Sequence, residues 1–242
     1  MIKKVGGMFF MTALVGYCLK DGAFLVADTQ RILKQPGTEE YWACVEVSKI
    51  FKLNESMGFA SCGTPSDEAR LKLQTEVGPN TKKEEVTKLA VQIYSGLLSN
   101  IKQIDLNLII FGHESGSGFI RQLKWDDTLG SFEIKDYSAN QIVTDGFEED
   151  RFYQIAKARL KDSISPSNNI ELDLWAQFVM RDIVGWTSNY SSDYGVNPVG
   201  FPIDLMIFKS NCSPTYQRKY NPAEDLEGRV QSRFASDIYS VQ

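Results

Sequence analysis

Four residues near the start of the chain are of types that hydrolytic chemistry uses. They are a threonine hydroxyl, a carboxylate, an amine and a glycine: Thr12, Asp28, Lys49 and Gly63. Thr12 heads the first predicted strand and Asp28 ends the second, while Lys49 lies on the third and Gly63 follows the fourth. Because adjacent strands of one sheet can bring their ends to a common edge, these residues can lie together. Asp and Lys at strand ends are also common solvated residues, so the pattern alone leaves both interpretations open.

The sequence contains a single histidine, His113, which removes most imidazole-dependent chemistry from consideration. A Ser-His-Asp triad, a Cys-His pair or a histidine-rich zinc site would have to use this one residue. His113 lies in a Gly/Ser-rich cluster, residues 112–118, directly after the apolar segment 106–111. Such a cluster is typical of a hairpin turn, and it matches neither a GxSxG nor a GxGxxG motif.

Composition and charge are those of an ordinary globular protein with an acidic balance. The 242 residues are 43% hydrophobic and 24% charged, which predicts a real core. Twenty-six Lys and Arg against 31 Asp and Glu give a net charge of -5, and no run of Lys or Arg is longer than two. This balance argues against a nucleic-acid partner and against docking on anionic lipid.

Cysteine usage and the apolar N-terminal stretch indicate the compartment. The cysteines at positions 18, 44, 62 and 212 have no metal-ligand spacing and predict buried thiols in a reducing environment. The apolar stretch 5–16 is too short to span a bilayer and lacks the cleavage pattern of a secretory signal. We therefore expect a cytoplasmic protein.

Hydrophobic periodicity and turn signals divide the chain into blocks of strands and helices. The predicted order is two hairpins (12–28, then 46–53 with 57–62), two helices (64–78, then one that Thr81 caps), strands 106–111, 119–125, 131–136 and 141–144, helices 148–160 and 172–189, and strand 203–209. Helices in consecutive pairs between antiparallel blocks predict an α+β fold, a four-layer αββα sandwich of two antiparallel sheets flanked by helices. We expect a leader or upstream extension (1–11), one folded domain (12–210) and a polar tail (211–242) that wraps the surface or contacts a neighbour.

Over residues 12–70 the chain resembles the β subunits of proteasomes and their bacterial relatives, which are N-terminal nucleophile (Ntn) hydrolases. The family opens its mature chain with Thr, passes a hairpin turn like Lys20-Asp21-Gly22 and reaches an Ala-Asp pair like Ala27-Asp28. The family's lysine segment matches 47–53, and the match continues to Gly63 and Asp67. Later in the chain the resemblance rests on element order and on residues 202–205 of the last strand.

The resemblance implies a threonine hydrolase that cleaves peptide amide bonds through an acyl-enzyme on Thr12. A threonine hydroxyl needs a base, and a free α-amino group with a pKa of about 7.7–8.0 is partly neutral near pH 7. An N-terminal Thr12 carries that base beside its own hydroxyl. Lys49, kept cationic by Asp28, lowers the proton affinity of both groups, and the backbone N–H of Gly63 is the implied oxyanion donor.

Exposure of this amine requires a mature chain that starts at Thr12. The family usually processes after Gly, whereas Met11 precedes Thr12 here. Two routes stay open, autocatalytic processing before Thr12 or initiation at Met11 followed by removal of that methionine. If neither operates, residues 1–11 form an ordinary N-terminal strand of a subunit that never matures.

The resemblance implies further site residues. Asp145 stands where the family has a serine that holds the amine, and it can accept a hydrogen bond from the ammonium while raising the pKa of that amine. Asp193 is the candidate for the family's second aspartate before the last strand. The implied pocket for the substrate side chain comprises Arg31, Val47, Phe51, Ser61 and Pro65, and Arg31 there favours an acidic or polar residue.

Three functions stay open at this point. They are a peptide hydrolase, a catalytically inert proteasome-like structural subunit with Thr12 behind its leader, and a small-amide acylase on the same fold. No metal or organic cofactor, no nucleic acid and no membrane partner is implied. The resemblance implies a peptide or unfolded protein as substrate and self-assembly into a homo-oligomeric ring or barrel, and it leaves any ATP-dependent unfoldase unidentified.

Overall fold

The computed structural model describes residues 12–34, 41–44, 47–63, 67–98, 106–162, 169–191 and 195–219. Within these ranges the strands are β1 (Ala13–Cys18), β2 (Gly22–Asp28), β3 (Arg31–Lys34), β4 (Tyr41–Cys44), β5 (Ile50–Lys52), β6 (Met57–Gly63), β7 (Leu106–Glu114), β8 (Ser117–Asp126), β9 (Ser131–Tyr137), β10 (Ile142–Gly146), β11 (Ile203–Lys209) and β12 (Cys212–Lys219). The helices are α1 (Asp67–Glu76), α2 (Lys83–Leu98), α3 (Glu149–Asp162) and α4 (Asn169–Thr187), the last followed by a 3-10 turn (Ser188–Tyr190).

The strands form two five-stranded antiparallel sheets and a separate hairpin. The first sheet has the order β10-β1-β2-β11-β12, and the second has the order β5-β6-β7-β8-β9. The hairpin pairs β3 with β4. The predicted α+β class and the predicted pair of antiparallel sheets are confirmed.

Side chains alternate between the two faces of the first sheet, as a strand period of two requires. Ala13, Val15 and Tyr17 of β1 join a cluster with α3 and α4, where Trp175 is fully buried. Leu14 points the other way, into a cluster that both sheets share. Every residue of β1 and β2 is buried, because these central strands are covered on both faces.

Aromatic and aliphatic side chains join the two sheets. Phe111 of β7 meets Phe208 of β11 edge to face, with ring centroids 5.4 Å apart, a geometry that contributes about 1 kcal/mol beyond area burial. The outer face of the second sheet packs on α1 and α2 through Leu73, Val86 and Ala90. None of the helices in the described ranges is long and apolar enough to cross a membrane.

Local signals explain where the helices begin and which faces they bury. α2 carries Glu84 and Glu85 in its first turn, where negative charge is favourable beside the free N–H groups. Val86, Ala90 and Ile93 recur at helical spacing and are buried. The predicted helices therefore match the observed ones within a few residues at each end.

Two elements differ from the sequence prediction. The β3–β4 hairpin lies in a stretch for which the sequence predicted no strands. Residues 212–219, expected to belong to the polar tail, form β12, which pairs with β11 at the edge of the first sheet. An edge strand tolerates polar side chains and a proline such as Pro214, which explains why this segment does not have a core strand pattern.

Candidate active site

A buried ion pair links the end of β2 to the segment before β5. Lys49 Nζ lies 2.6 Å from Asp28 Oδ1, and it also donates a hydrogen bond of 2.6 Å to the carbonyl oxygen of Gln30. Asp28 is fully buried and Lys49 is 8% exposed. The structure thus brings together two of the residues that sequence analysis singled out.

Thr12 directly precedes a residue whose backbone N–H binds this ion pair. The N–H of Ala13, which directly follows Thr12, donates to Asp28 Oδ1 at 2.8 Å, the same oxygen that Lys49 contacts. On its other side, the carbonyl oxygen of Thr12 accepts a hydrogen bond of 3.0 Å from the N–H of Phe147, just after β10. Thr12 is 3% exposed. Its main chain is therefore fixed between β2 and β10, beside the Asp28 carboxylate.

The chain leaving β2 is held by local polar contacts. Asp28 Oδ2 accepts a hydrogen bond from the N–H of Gln30 at 3.2 Å, the turn that an aspartate forms with the residue two positions later. The hydroxyl of Thr29 donates to the carbonyl oxygen of Pro202 at 2.7 Å. These contacts orient the Asp28 carboxylate toward Thr12 and Lys49.

Opposing effects act on the ionisation of Asp28. Burial raises the pKa of its carboxyl above the ordinary value, whereas the Lys49 ammonium and the N–H groups of Ala13 and Gln30 act to lower that pKa. Three donors surround one carboxylate, so both of its oxygens are hydrogen-bonded. Chemically, the arrangement is a carboxylate that binds both an ammonium and the N–H that follows Thr12.

Gly63 lies at the same end of the second sheet as Lys49. β5 and β6 pair in the register Ile50 to Ala60, so Lys49 and Gly63 extend beyond the same end of this strand pair. Gly63 has a φ of +88°, which lies in the left-handed region that glycine adopts without strain.

Asp145 belongs to a different polar network. It lies in β10 opposite Leu14 and is fully buried. Its Oδ1 accepts a hydrogen bond of 2.7 Å from Asn107 Nδ2, and its Oδ2 accepts one of 3.0 Å from Gln122 Nε2. Both oxygens thus bind amides of the second sheet, and a hydrogen bond from the ammonium of a mature Thr12 stays a prediction.

The environment of Asp145 makes it easier to protonate than an ordinary aspartate. Burial raises the pKa of Asp145 to about 6, and the amides of Gln122 and Asn107 limit this rise. Sequence reasoning missed both amide residues. Asn107 carries a signal, a polar side chain between Leu106 and Leu108, whereas Gln122 lies among other polar residues of β8 and carries none.

The Asp145 network reaches a cleft of 630 Å³ between the β8–β9 pair and the β10–α3 pair. Tyr137 OH donates to Gln122 Oε1 at 2.9 Å, and both of these residues line the cleft. Across this cleft, Lys124 of β8 reaches Glu149 of α3, with Nζ 3.1 Å from Oε1. One hydrogen bond, from Gln122, therefore separates the buried Asp145 carboxylate from the wall of the cleft.

Gly146 lets the chain pass close to Thr12. Its φ is +121°, and a Cβ at this position would lie 1.7 Å from the carbonyl oxygen of Thr12. Only a residue without a side chain fits this contact. The glycine after Asp145 is therefore required by the position of Thr12.

The residues expected to line a substrate pocket are only partly brought together. The N–H of Val47 donates to the carbonyl oxygen of Thr29 at 2.9 Å, near the ion pair. Phe51 and Ser61 lie on one face of the second sheet by strand alternation. The guanidinium of Arg70 stands 4.4 Å from the centroid of the Phe51 ring, so Phe51 faces α1.

Three of the predicted site residues are incompletely described. Arg31 begins β3, and only its backbone belongs to the described part of the chain. Pro65 and Asp193 lie outside the described residues. Across the described ranges, the His, Cys, Asp and Glu side chains do not form a group of three or more that could hold a metal ion.

Comparison with known proteins identifies the fold. No protein-family model matches the sequence, and no curated protein matches it. Among solved structures, the chain is similar to a mutant of Anbu from Hyphomicrobium sp. strain MC1, with a TM-score of 0.58 and 15% sequence identity, over 95% of this chain and 96% of that chain. Anbu is a bacterial proteasome-like Ntn-hydrolase homologue. At this identity the likeness shows that the chain has a proteasome-like fold.

Proposed function

We propose that the chain is an Ntn-type threonine hydrolase that cleaves peptide amide bonds through an acyl-enzyme on Thr12 Oγ. The observation that carries this proposal is the buried Lys49–Asp28 ion pair, which shares the carboxylate oxygen that binds the N–H following Thr12. The proteasome-like fold supports the same proposal. The finer architecture that we infer is four layers, αββα, with α3 and α4 on the first sheet and α1 and α2 on the second.

The proposed reaction uses the α-amino group of a mature Thr12 as the base. The amine takes the proton from Oγ while Oγ attacks the substrate carbonyl carbon, and the Gly63 N–H donates to the oxyanion. The amine then gives that proton to the leaving nitrogen, which leaves an ester on Oγ. Water, deprotonated by the same amine, hydrolyses the ester and restores the hydroxyl. Lys49 contributes a fixed positive charge that favours the deprotonated oxygen.

This mechanism requires that the mature chain begins at Thr12, by either of the two routes given above. N-terminal sequencing and intact-mass measurement of protein from its native host test this requirement. A chain that always retains residues 1–11 would favour the inert structural subunit. A ring or barrel of copies is part of the proposal, and the mass of the assembly in solution tests it.

Hydrolysis of a panel of fluorogenic peptides and small acyl amides by the chain with Thr12 exposed tests the activity. We expect peptide cleavage that Thr12→Ala abolishes, and a loss of more than about a hundredfold in turnover for Lys49→Ala. Lys52→Ala is the matched control, since Lys52 lies on β5 and pairs with the exposed Glu55. Cleavage of small amides alone would favour the acylase, and cleavage that survives Thr12→Ala would overturn the proposal.

Six residue assignments stay predictions: Asp193 and the pocket residues Arg31, Val47, Phe51, Ser61 and Pro65. The panel tests them through the preferred residue on the carbonyl side of the cleaved bond. If Arg31 contacts that residue, acidic side chains are preferred in the unmodified chain, and Arg31→Gln removes the preference.

A further inference from the structure

A polar cluster ties the segment before Lys49 to the first sheet. Arg218 of β12 contacts Asp204 of β11 through two parallel hydrogen bonds, Nε to Oδ1 at 2.7 Å and Nη2 to Oδ2 at 2.9 Å. Arg218 Nη2 also donates to Ser48 Oγ at 2.7 Å. Asp204 is fully buried and lies directly opposite Arg218 in the strand register.

Other contacts also hold residues 47–49: the N–H of Val47 donates to the carbonyl oxygen of Thr29, Lys49 binds Asp28, and the Tyr216 side chain hydrogen-bonds Ser48. Residues 47–49 are not part of a strand, and β5, which follows them, has three residues at the edge of the second sheet. The N–H of Ser61 reaches the carbonyl oxygen of Lys49 at 3.3 Å, which is long for a backbone hydrogen bond. The contact from Arg218 joins this segment to a guanidinium that the buried Asp204 holds in place.

We propose that Arg218 is a positioning residue for Lys49. Its two bonds to Asp204 fix the plane of the guanidinium, and the fixed guanidinium holds Ser48, the residue before Lys49. A guanidinium can make all three contacts in one plane, which an ammonium cannot. The inference rests on the proposed function, in which Lys49 must stay within about 0.5 Å of its productive position.

Two rates measured on the full chain with Thr12 exposed test this proposal. The first is the rate at which a peptide epoxyketone modifies Thr12. The second is the rate at which acetic anhydride acetylates the Lys49 amine in the folded protein, followed by peptide mass spectrometry. The second rate needs no catalytic activity, so it reports on Lys49 even if the hydrolase proposal fails.

The variants are Ser48→Ala, Arg218→Lys and their combination, because the lysine keeps a positive charge beside the buried Asp204 and so preserves folding. We expect Ser48→Ala and Arg218→Lys each to slow Thr12 modification about tenfold and to speed Lys49 acetylation about fivefold. The combined variant should change both rates by no more than Ser48→Ala alone does, because Ser48→Ala already removes the contact from Arg218. Ser48→Thr keeps the hydroxyl and should restore both rates.

Arg159→Lys is the matched control, since Arg159 forms a similar pair with Asp182, Nε to Oδ2 at 2.6 Å, between α3 and α4. It should leave both rates unchanged. The proposal is overturned if Ser48→Ala and Arg218→Lys leave the acetylation of Lys49 at the rate of the unmodified chain, whatever their melting temperatures. Faster Lys49 acetylation in a chain that never reacts with the epoxyketone would support the positioning role and refute the hydrolase.

Discussion

Lys49 Nζ and Asp28 Oδ1 lie 2.6 Å apart in the protein interior, and the N–H after Thr12 binds the same oxygen. A buried ion pair of this kind gains little net stability, because the cost of removing two charges from water offsets much of their attraction. Retaining such a pair next to a threonine fits a role in the chemistry of that threonine. Its energetics also lead to a prediction that does not depend on activity.

Removing one charge of the pair should destabilise the folded chain more than removing both charges. Lys49→Met leaves the buried Asp28 carboxylate without its cation, and we expect it to lower the free energy of unfolding at pH 7 by about 3–5 kcal/mol. The double variant Lys49→Met/Asp28→Asn removes both charges and should be less destabilised than Lys49→Met. Urea unfolding measures all of these values.

Lys52→Met is the control for this series, since Lys52 is half-exposed and pairs with an exposed Glu55. We expect it to change stability by less than about 1 kcal/mol. Additive losses from Lys49→Met and Asp28→Asn would show that the two charges do not interact in the way described.

Asp145 predicts a pH dependence of stability. Its pKa in the folded chain is about 6, against about 3.9 for an unperturbed aspartate. The folded state therefore binds this proton more tightly than the unfolded state does. Its contribution to stability is fully present below the unfolded pKa and is lost as the pH rises through about 6, a change of about 3 kcal/mol for two pKa units. Asp145→Asn should therefore become more stable relative to the unmodified chain between pH 4 and pH 7.

Asp136 provides a control of opposite sign. Hydrogen bonding from Arg121 lowers the pKa of Asp136, so its contribution is lost as the pH falls. Asp136→Asn should lose less stability than the unmodified chain on acidification. Denaturant unfolding at several pH values checks both variants, and a constant difference between Asp145→Asn and the unmodified chain would rule out titration of Asp145 in this window.

Gly146→Ala should displace Thr12 in addition to straining the backbone. Its Cβ would meet the carbonyl oxygen of Thr12 at 1.7 Å, whereas Gly130, with a φ of +63°, has no atom within 4 Å of such a Cβ. Gly130→Ala should thus cost only the left-handed penalty of about 1–2 kcal/mol. We expect Gly146→Ala to cost more and to abolish the modification of Thr12. Equal costs for the two variants, with Thr12 still reactive, would contradict this account of the β1–β10 contact.

The secondary-structure elements were predictable from short-range patterns, and the contact between Asp28 and Lys49 only in part. Both were expected on adjacent strands of one sheet, whereas β2 belongs to the first sheet and β5 to the second, so the ion pair joins the two sheets. The two sheets were predictable because β1, β2 and β7 are mostly apolar segments bounded by turn residues. These features depend on short-range patterns that tertiary structure preserves.

Other contacts depend on register between distant strands, which periodicity does not encode. Arg218 and Ser48 are 170 positions apart, and β12 is too polar to be recognised as a strand. The family resemblance placed Asp145 near Thr12, but its partners are set by which face of β10 meets the second sheet. A shift of one residue in that register would point the carboxylate toward α3 instead.

The central claim is that the hydroxyl and the α-amino group of Thr12 act together. A peptide epoxyketone tests it directly, because it forms a ring adduct only with a hydroxyl and a free amine on the same residue, and intact-mass measurement detects that adduct. With Thr12 verified as the first residue, we predict one adduct per chain on Thr12, and none in Thr12→Ala. A chain verified to begin at Thr12 that gains no mass would contradict the account.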